Sequence, residues 1–519
     1  METQQQQLPY RGAPFPSKWR RNHPRSKNGC MTCRSKRKKC DEAKPICGGC
    51  VRTRQECVWP TPNGDQGDGQ PGSHTEGVLE SHFSQLNSSA CMVRAVSEDT
   101  TSTPSIRIAP TYGNLAYLSD NSKPLYQQYL DITADMLTRG PSECGNPFVN
   151  YLLPLASNNE LILDCILAIG GAHLLINNSR VRGLEVATRG HYAKVLAGLQ
   201  TLISYEIGQV TPGMIQQTTS TRTSQILLIL QLLCIYDHIH GNTQGSIYLH
   251  LKASREYITT LTSPCQPYDE LAYLRGFLLE MYTYHAMKLA LSPRNMLRQE
   301  SVEIDPSVHS LDILDGYESR GFLLGFGQAL FEMVPQIHRL VEARQEEEKL
   351  GLGESPELRK RYEYLVAKID AYDPHAEDLN SLHPVEGRVG SITIYQNALI
   401  VYLHSAFCLD MLSDADLAME LDERIGKTMA AFYTLFVGNS PFRRMLLWPG
   451  VIMASCAQLE QHIRVFRAGL VGRAERTPGA VKTGARIVNL LWSDPDPRAF
   501  GPRGLSYIMT KHDISFGLC

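Results

Sequence analysis

Six cysteines crowd into one short segment near the start of this 519-residue chain: Cys30, Cys33, Cys40, Cys47, Cys50 and Cys57. Their spacing, C-x2-C-x6-C-x6-C-x2-C-x6-C, is an internal repeat. A C-x2-C-x6-C half is followed by a six-residue connection and then by the same half again. About thirty residues cannot bury enough apolar surface to offset the entropy of ordering them, so a cross-link or a metal must hold the segment. Residues 1–27 are polar and basic, without the apolar stretch of a secretory signal. The longest apolar run, Ile226 to Tyr236, is interrupted by Gln231 and falls short of the ~20 residues that span a bilayer. The chain therefore reads as soluble and intracellular, with no membrane partner. In a reducing compartment its thiols should not be disulfides.

Metal ligation remains. The C-x2-C step lets two thiolates grip one ion from a single turn of chain. A structural zinc takes four ligands, so one ion would leave two thiolates spare, and two separate ions would need eight ligands. His23 is the nearby histidine and lies outside the repeat. Two Zn2+ sharing two thiolates satisfy the count, because four singly used and two bridging sulfurs make eight bonds. The count leaves open which pair bridges. A disulfide knot conflicts with the compartment, and a metal-storage stretch conflicts with the ordered spacing. Zinc binding then supplies the folding free energy of the segment.

Charge points to a partner. Residues 1–60 hold 14 Lys+Arg against 4 Asp+Glu, whereas the remainder holds 37 against 49. A basic head on an acidic body is the footprint of polyanion binding at one end, although charge alone fits a solvated tail equally well. Five of the six residues between Cys33 and Cys40 are cations: Arg34, Lys36, Arg37, Lys38 and Lys39. Such a helix repels itself in isolation. Zinc ligation at both ends would hold it, and phosphate would neutralise it with release of counterions.

The segment from Cys30 to Cys57, including Pro45 of its middle loop, resembles the fungal binuclear zinc cluster domain. That resemblance implies a small zinc-nucleated fold of two short helices around two Zn2+, with Cys30 and Cys47 as the bridging thiolates. It also implies that the first helix enters the major groove of double-stranded DNA at a CGG-type triplet. The family's base-reading cations align with Lys36 and Arg37. The guanidinium fork of Arg37 suits guanine O6 and N7, which leaves Arg34, Lys38 and Lys39 to phosphate. Arg52 and Arg54 join them by pseudo-symmetry, with a solvated charge as the alternative for each. Lys18, Arg20, Arg21, Arg25 and Lys27 precede the cluster as a nuclear-localisation patch, a DNA-contacting extension or a plain basic tail.

These signals divide the chain into a basic disordered arm (1–27), the cluster (28–59), a flexible linker (60–119) and a body (120–519). The linker is rich in Gly, Ser, Thr, Pro, Asn and Asp, with Leu79, Leu86 and Leu115 far apart, a composition that favours disorder. No sustained a/d heptad follows the cluster. The adjoining zipper of many relatives is thus missing, which leaves either a monomer on one triplet or a homodimer through the C-terminal body.

From residue 120 onward apolar residues recur at helical spacing, predicting a large all-α domain. Helices are expected over 121–137, 161–176 (capped by Ser157 and Glu160), 226–239, 249–261, 271–291 and 322–341. Further ones are expected over 358–369, 392–412, 417–436 and 446–466. Asn146-Pro147-Phe148 with Leu152 to Leu155, His250 to Glu256, Ala398 to His404 and Leu447-Trp448-Pro449 resemble the fungal-specific transcription factor domain of the acriflavine-sensitivity-control type. That resemblance implies a regulatory module and no catalysis. The resulting expectation is a nuclear RNA polymerase II transcription regulator. The alternative is a helical ligand-sensing or enzymatic protein that uses the cluster as an accessory DNA anchor, and a small-molecule effector fits either.

Catalytic signals are weak. Asp237, His238 and His240 read as a polar helix end, since histidines at i and i+2 point apart. Gly426-Lys427-Thr428 lacks the earlier glycine of a phosphate loop, with Leu421 in its place. Gly321, Gly325 and Gly327 follow no strand and suit close helix packing. Glu346 to Glu348 read as a solvated face, and Cys165, Cys234 and Cys456 as core.

Overall fold

A computed structural model describes residues 30–36, 40–43, 47, 50 and 57, and then 117–518 apart from 139–144, 177–181, 209–215, 262–271, 299–310, 315–322, 325–326, 376–384, 438–439 and 471–477. The chain divides into two compact units, Met1–Val78 and Leu79–Cys519. The expectations for the arm, for most of the linker and for most of the cluster's second helix fall outside the described residues, as do Gly321 and Gly325.

In the first unit α1 (Met31–Ser35) is a single turn, too short to persist in water by propensity. Cys30 stands just before it and Cys33 within it, and both are buried with Cys40, Cys47 and Cys50 in a small cluster of their own. Packing of sulfur on sulfur takes the place of an apolar core.

The second unit is helical among its described residues, apart from an isolated parallel bridge between Gln244 and Ser515. Its helices are α2 (Lys123–Gln128), α3 (Ala134–Leu137), α4 (Pro147–Asn150), α5 (Leu152–Asn158), α6 (Glu160–Leu175), α7 (Arg182–Gly208), α8 (Gln216–His240), α9 (Ser246–Leu261) and α10 (Ala272–Ala290). They continue with α11 (Gln328–Lys349), α12 (Pro356–Asp370), α13 (Val385–Phe407), α14 (Ala415–Phe432), α15 (Leu447–Ser455), α16 (Glu460–Leu470), α17 (Gly479–Ser493) and α18 (Gly501–Lys511). Side-chain caps set several starts: Asn146, Asn159, Ser355 and Asp414 each accept from N–H groups of the following turn.

Two helices, α8 and α13, form the axis of the core. From Ile226 to Tyr236 every residue of α8 is buried, and the helix packs on α6, α9, α10 and α17. Helix α13 is buried over most of its length and packs on α11, α12, α14 and α15. A helix apolar on all sides belongs in the interior, and several polar residues of this interior are paired. Gln231, fully buried, donates to Ser254 Oγ at 2.8 Å and lies 2.8 Å from His285 Nδ1. Trp448 of the Leu447-Trp448-Pro449 segment donates to the Leu291 carbonyl at 2.9 Å and stacks on Tyr395.

Several sequence expectations need correction. Asn159, not Ser157, caps α6, because its Oδ1 takes the N–H groups of both Leu161 and Ile162. Ser157 instead donates to the Leu153 carbonyl of its own helix. The helix expected over 446–466 is two, α15 and α16, broken at residues 456–459. The first is buried throughout and the second is amphipathic, so one periodic run hid two environments. Helices α4, α5, α7, α17 and α18 were not anticipated. Of the acidic run, Glu346 is exposed, but Glu348 pairs with Arg503 at 2.8 Å and with Arg344 at 3.4 Å. Gly426-Lys427-Thr428 lies within α14, where no phosphate loop can form. Gly327 stands just ahead of α11 with φ +72°.

The Asp237 segment is more than a polar helix end. Asp237 is buried and accepts from Ser246 Oγ at 2.5 Å and Asn242 Nδ2 at 3.2 Å, with His250 Nε2 at 3.5 Å. Burial pushes the Asp237 carboxyl up, while its bonds from Ser246 and Asn242 pull the other way. Burial pushes the His250 imidazole down to about 4. Gly241, at φ +75°, ends α8, with the Asn242 N–H returning to the Asp237 carbonyl at 3.1 Å in the manner of a Schellman motif. A Cβ on Gly241 would meet the Gly479 carbonyl carbon at 2.5 Å, so α8 and α17 touch backbone to backbone there.

Candidate metal centre and nucleic-acid interface

The described cysteine sulfurs are spaced as ligands of a common centre. Cys30 Sγ lies 3.7 Å from Cys47 Sγ and 3.7 Å from Cys50 Sγ. Cys33 Sγ lies 3.5 Å from Cys47 Sγ and 3.9 Å from Cys50 Sγ. A tetrahedron of sulfurs around zinc at about 2.3 Å has edges of about 3.8 Å, so these separations match tetrahedral edges. The sulfurs of Cys30, Cys33, Cys47 and Cys50 all lie within 4.8 Å of one another, and so do the ligand atoms of Cys40, Asp41 and Cys47.

The repeat in the sequence reappears as a repeat of hydrogen bonds. The Cys33 N–H donates to Cys30 Sγ at 3.3 Å, and the Cys50 N–H donates to Cys47 Sγ at 3.3 Å. The Cys30 N–H donates to Cys40 Sγ at 3.5 Å, and the Cys47 N–H donates to Cys57 Sγ at 3.3 Å. Each pair links equivalent positions of the two halves. N–H donors stabilise thiolate, the metal-binding form. For Cys30 and Cys47 burial pushes the thiol up, but the bonds they accept outweigh it and the net direction is down. Cys33 is pushed up to about 12 by its bond to Cys47 and by burial. Burial first also pushes Cys50 and Cys57 up. When bound, zinc holds its sulfur ligands as thiolates.

Of the expected DNA-contacting cations, Lys36 is exposed at the end of α1, where its N–H reaches the Thr32 carbonyl at 3.4 Å. Arg34 is placed within α1 by its backbone. Arg37, Lys38, Lys39 and Arg52 lie outside the described residues. Asp41 was not anticipated beside the sulfurs. Its adjacency to Cys40 was the available signal.

Residues 28–66 match the fungal Zn(2)-Cys(6) binuclear cluster domain, and residues 124–507 match the fungal specific transcription factor domain. The class defined is a two-zinc cysteine cluster joined to a helical domain. The chain belongs to the family of fungal transcription factors that carry this domain. It is 54% identical over 41 residues to the transcription factor lfc1 of Flammulina velutipes, covering 8% of this chain and 15% of that protein. It is 50% identical over 38 residues to the zinc cluster transcription factor CZF1 of Candida albicans, covering 7% and 10%. It is 26% identical over 166 residues to the transcriptional activator protein UGA3 of Saccharomyces cerevisiae, covering 30% and 31%. The chain thus matches under a third of the length of each of these relatives. No solved structure matches it. The cluster takes two zinc ions.

Proposed function

We propose that the chain is a sequence-specific DNA-binding regulator of RNA polymerase II transcription. Cys30, Cys33, Cys40, Cys47, Cys50 and Cys57 hold two zincs, and Cys30 and Cys47 bridge them. Lys36 and Arg37 read a CGG-type triplet, with Arg34, Lys38, Lys39 and Arg52 on phosphate. The observation that carries this reading is the hydrogen-bond repeat around sulfurs at tetrahedral-edge separation, with Lys36 exposed on the helix that leaves it. A metal-pinned cationic turn is rigid, and rigid cations can select base edges as well as meet phosphate.

Under this reading the chain works in the nucleus, with its basic arm as an import signal. Without an adjoining zipper it binds as a monomer or pairs through the helical body.

Full-length, zinc-loaded protein should bind a CGG-containing duplex far better than a scrambled one at moderate salt. Equal affinity would refute the reading. Arg37→Ala should relax discrimination at one guanine by about 1–3 kcal/mol, while Lys39→Ala weakens all sequences alike and lowers the salt slope by about 1. The same loss of discrimination from both would overturn the division of roles.

A further inference from the structure

Three residues far apart in the chain meet on the helical body. Ser122 stands before α2, Asp164 lies in α6 and His191 in α7. Ser122 Oγ is 2.8 Å from His191 Nε2, and His191 Nδ1 is 2.5 Å from Asp164 Oδ1. All three side chains are shielded: Ser122 is 4% and His191 9% exposed, and the Asp164 side chain is 13% exposed.

The protons in this group run one way. An ionised carboxylate only accepts, so His191 carries its proton on Nδ1 and presents a bare Nε2. The Ser122 hydroxyl must then donate to Nε2. Ser119 Oγ, 2.8 Å from Ser122 Oγ, can donate to it and leave the relay intact. Lys194 Nζ lies 4.0 Å from Asp164 Oδ1.

Two further observations separate this group from an ordinary buried network. A serine at the start of a helix normally turns its oxygen onto the N–H groups of the first turn. Ser122 occupies that position before α2 but makes no capping bond with its side chain, which is committed to the imidazole instead. A surface cleft of about 620 Å³ also opens over the group, lined by Ser119, Ser122, Arg182, His191 and Lys194 among others. The hydroxyl and its base therefore border a space large enough for a small molecule, with two cations at its walls.

We propose that Ser122, His191 and Asp164 form an acyl-transfer site for small esters that carry an anionic group. Nucleophile, base and orienting carboxylate stand at the separations that define such a triad on unrelated folds. Ser122 Oγ attacks the ester carbonyl carbon as its proton passes to His191 Nε2, and Asp164 stabilises the imidazolium. The bond from carbon to the alcohol oxygen breaks, and His191 returns the proton to the leaving alcohol. Water, activated by the same imidazole, then cleaves the acyl-serine, releasing the acid and restoring Ser122. The N–H groups of Ser122 and Lys123 are both bound to the Ser119 carbonyl. Arg182 and Lys194 are thus the cleft's sources of positive charge for the substrate's anion and for the oxyanion. Acylation should be more readily seen than fast turnover.

The test treats full-length, zinc-loaded protein with a fluorophosphonate probe at pH 8 and reads intact mass and peptide maps. One adduct on Ser122 is expected. Ser122→Ala should abolish it, and His191→Gln and Asp164→Asn should slow it by about a hundredfold or more, with melting temperature checked for each. No adduct on the wild type, or an adduct mapping elsewhere, would overturn the proposal. So would wild-type labelling by a folded His191→Gln. The surface variants Arg182→Gln and Lys194→Gln keep the test independent of core folding. In them, hydrolysis of 4-nitrophenyl hemisuccinate should fall about tenfold further than that of 4-nitrophenyl acetate. Equal losses would overturn the assignment of an anionic substrate.

Discussion

The contact between Gly241 and Gly479 yields a paired experiment. Gly241 sits at φ +75° with the Gly479 backbone where its Cβ would go, while Gly351 sits at φ +67° with nothing within 4 Å. Alanine at either position pays the left-handed penalty of about 1 kcal/mol. At Gly241 the methyl group must also displace a backbone, and overpacking of this kind costs about 1–3 kcal/mol. The hydrogen bond from Thr483 Oγ1 to the Gly241 carbonyl, at 3.2 Å, would stretch and lose about 1 kcal/mol more. Gly241→Ala should therefore destabilise the body by about 3–5 kcal/mol and Gly351→Ala by about 1 kcal/mol. For a body of about 400 residues each kcal/mol moves Tm by about 1 °C. The two variants should thus melt about 2–4 °C apart in a calorimetric scan at fixed rate. Equal shifts would refute the argument, because the left-handed penalty would then account for both.

Other outcomes follow from the same contacts. Chelation of zinc should abolish DNA binding and unfold the cluster while the melting of the helical body is unchanged, as read by far-UV circular dichroism. His250 has a folded pKa of about 4, below its unfolded value of about 6.5, so the unfolded chain takes the proton first and stability falls as pH drops through that window. The loss is at most about 3 kcal/mol and is opposed by Asp237, whose raised pKa acts in the other sense. His250→Gln should flatten the pH dependence of urea midpoints between those values, and an unchanged slope would count against the buried neutral imidazole. Arg503 donates bidentately to Glu348 at 2.8 Å and 2.8 Å and also reaches the Ser405 and Ala406 carbonyls. Lysine cannot reproduce that fork, so Arg503→Lys should cost about 2 kcal/mol in urea unfolding.

The cysteine cluster was legible in the sequence because its information is local. Six cysteines within one short segment set the expected ion count by arithmetic, and the same repeat returns in the N–H to sulfur bonds. The helical class of the body was legible for a similar reason, since apolar spacing reports the period. Boundaries were less so: the periodic run over 446–466 carried no mark of its break. Helix α7 was missed because its outer face exposes Val186, Leu196 and Tyr205, which blurs the stripe that periodicity needs. Ser122, Asp164 and His191 were invisible for a different reason. Nothing local distinguishes them, and only tertiary packing brings together residues 27 and 69 positions apart.

The segment after α18 is built into the interior. Ile514, Phe516 and Leu518 are buried, Ser515 N–H bonds to the Thr243 carbonyl, and Leu518 N–H bonds to Ser292 Oγ at 3.0 Å. Asp513 meets Arg298 at 3.0 Å. During vectorial synthesis the loop after α8 and the end of α10 must therefore wait for more than two hundred further residues before their partners emerge. The cysteine-rich head has no such wait, as its six cysteines all leave the ribosome within one short segment. The head can thus fold while the body is still an open scaffold, and a message cut short before residue 513 would yield a folded head without a finished helical body.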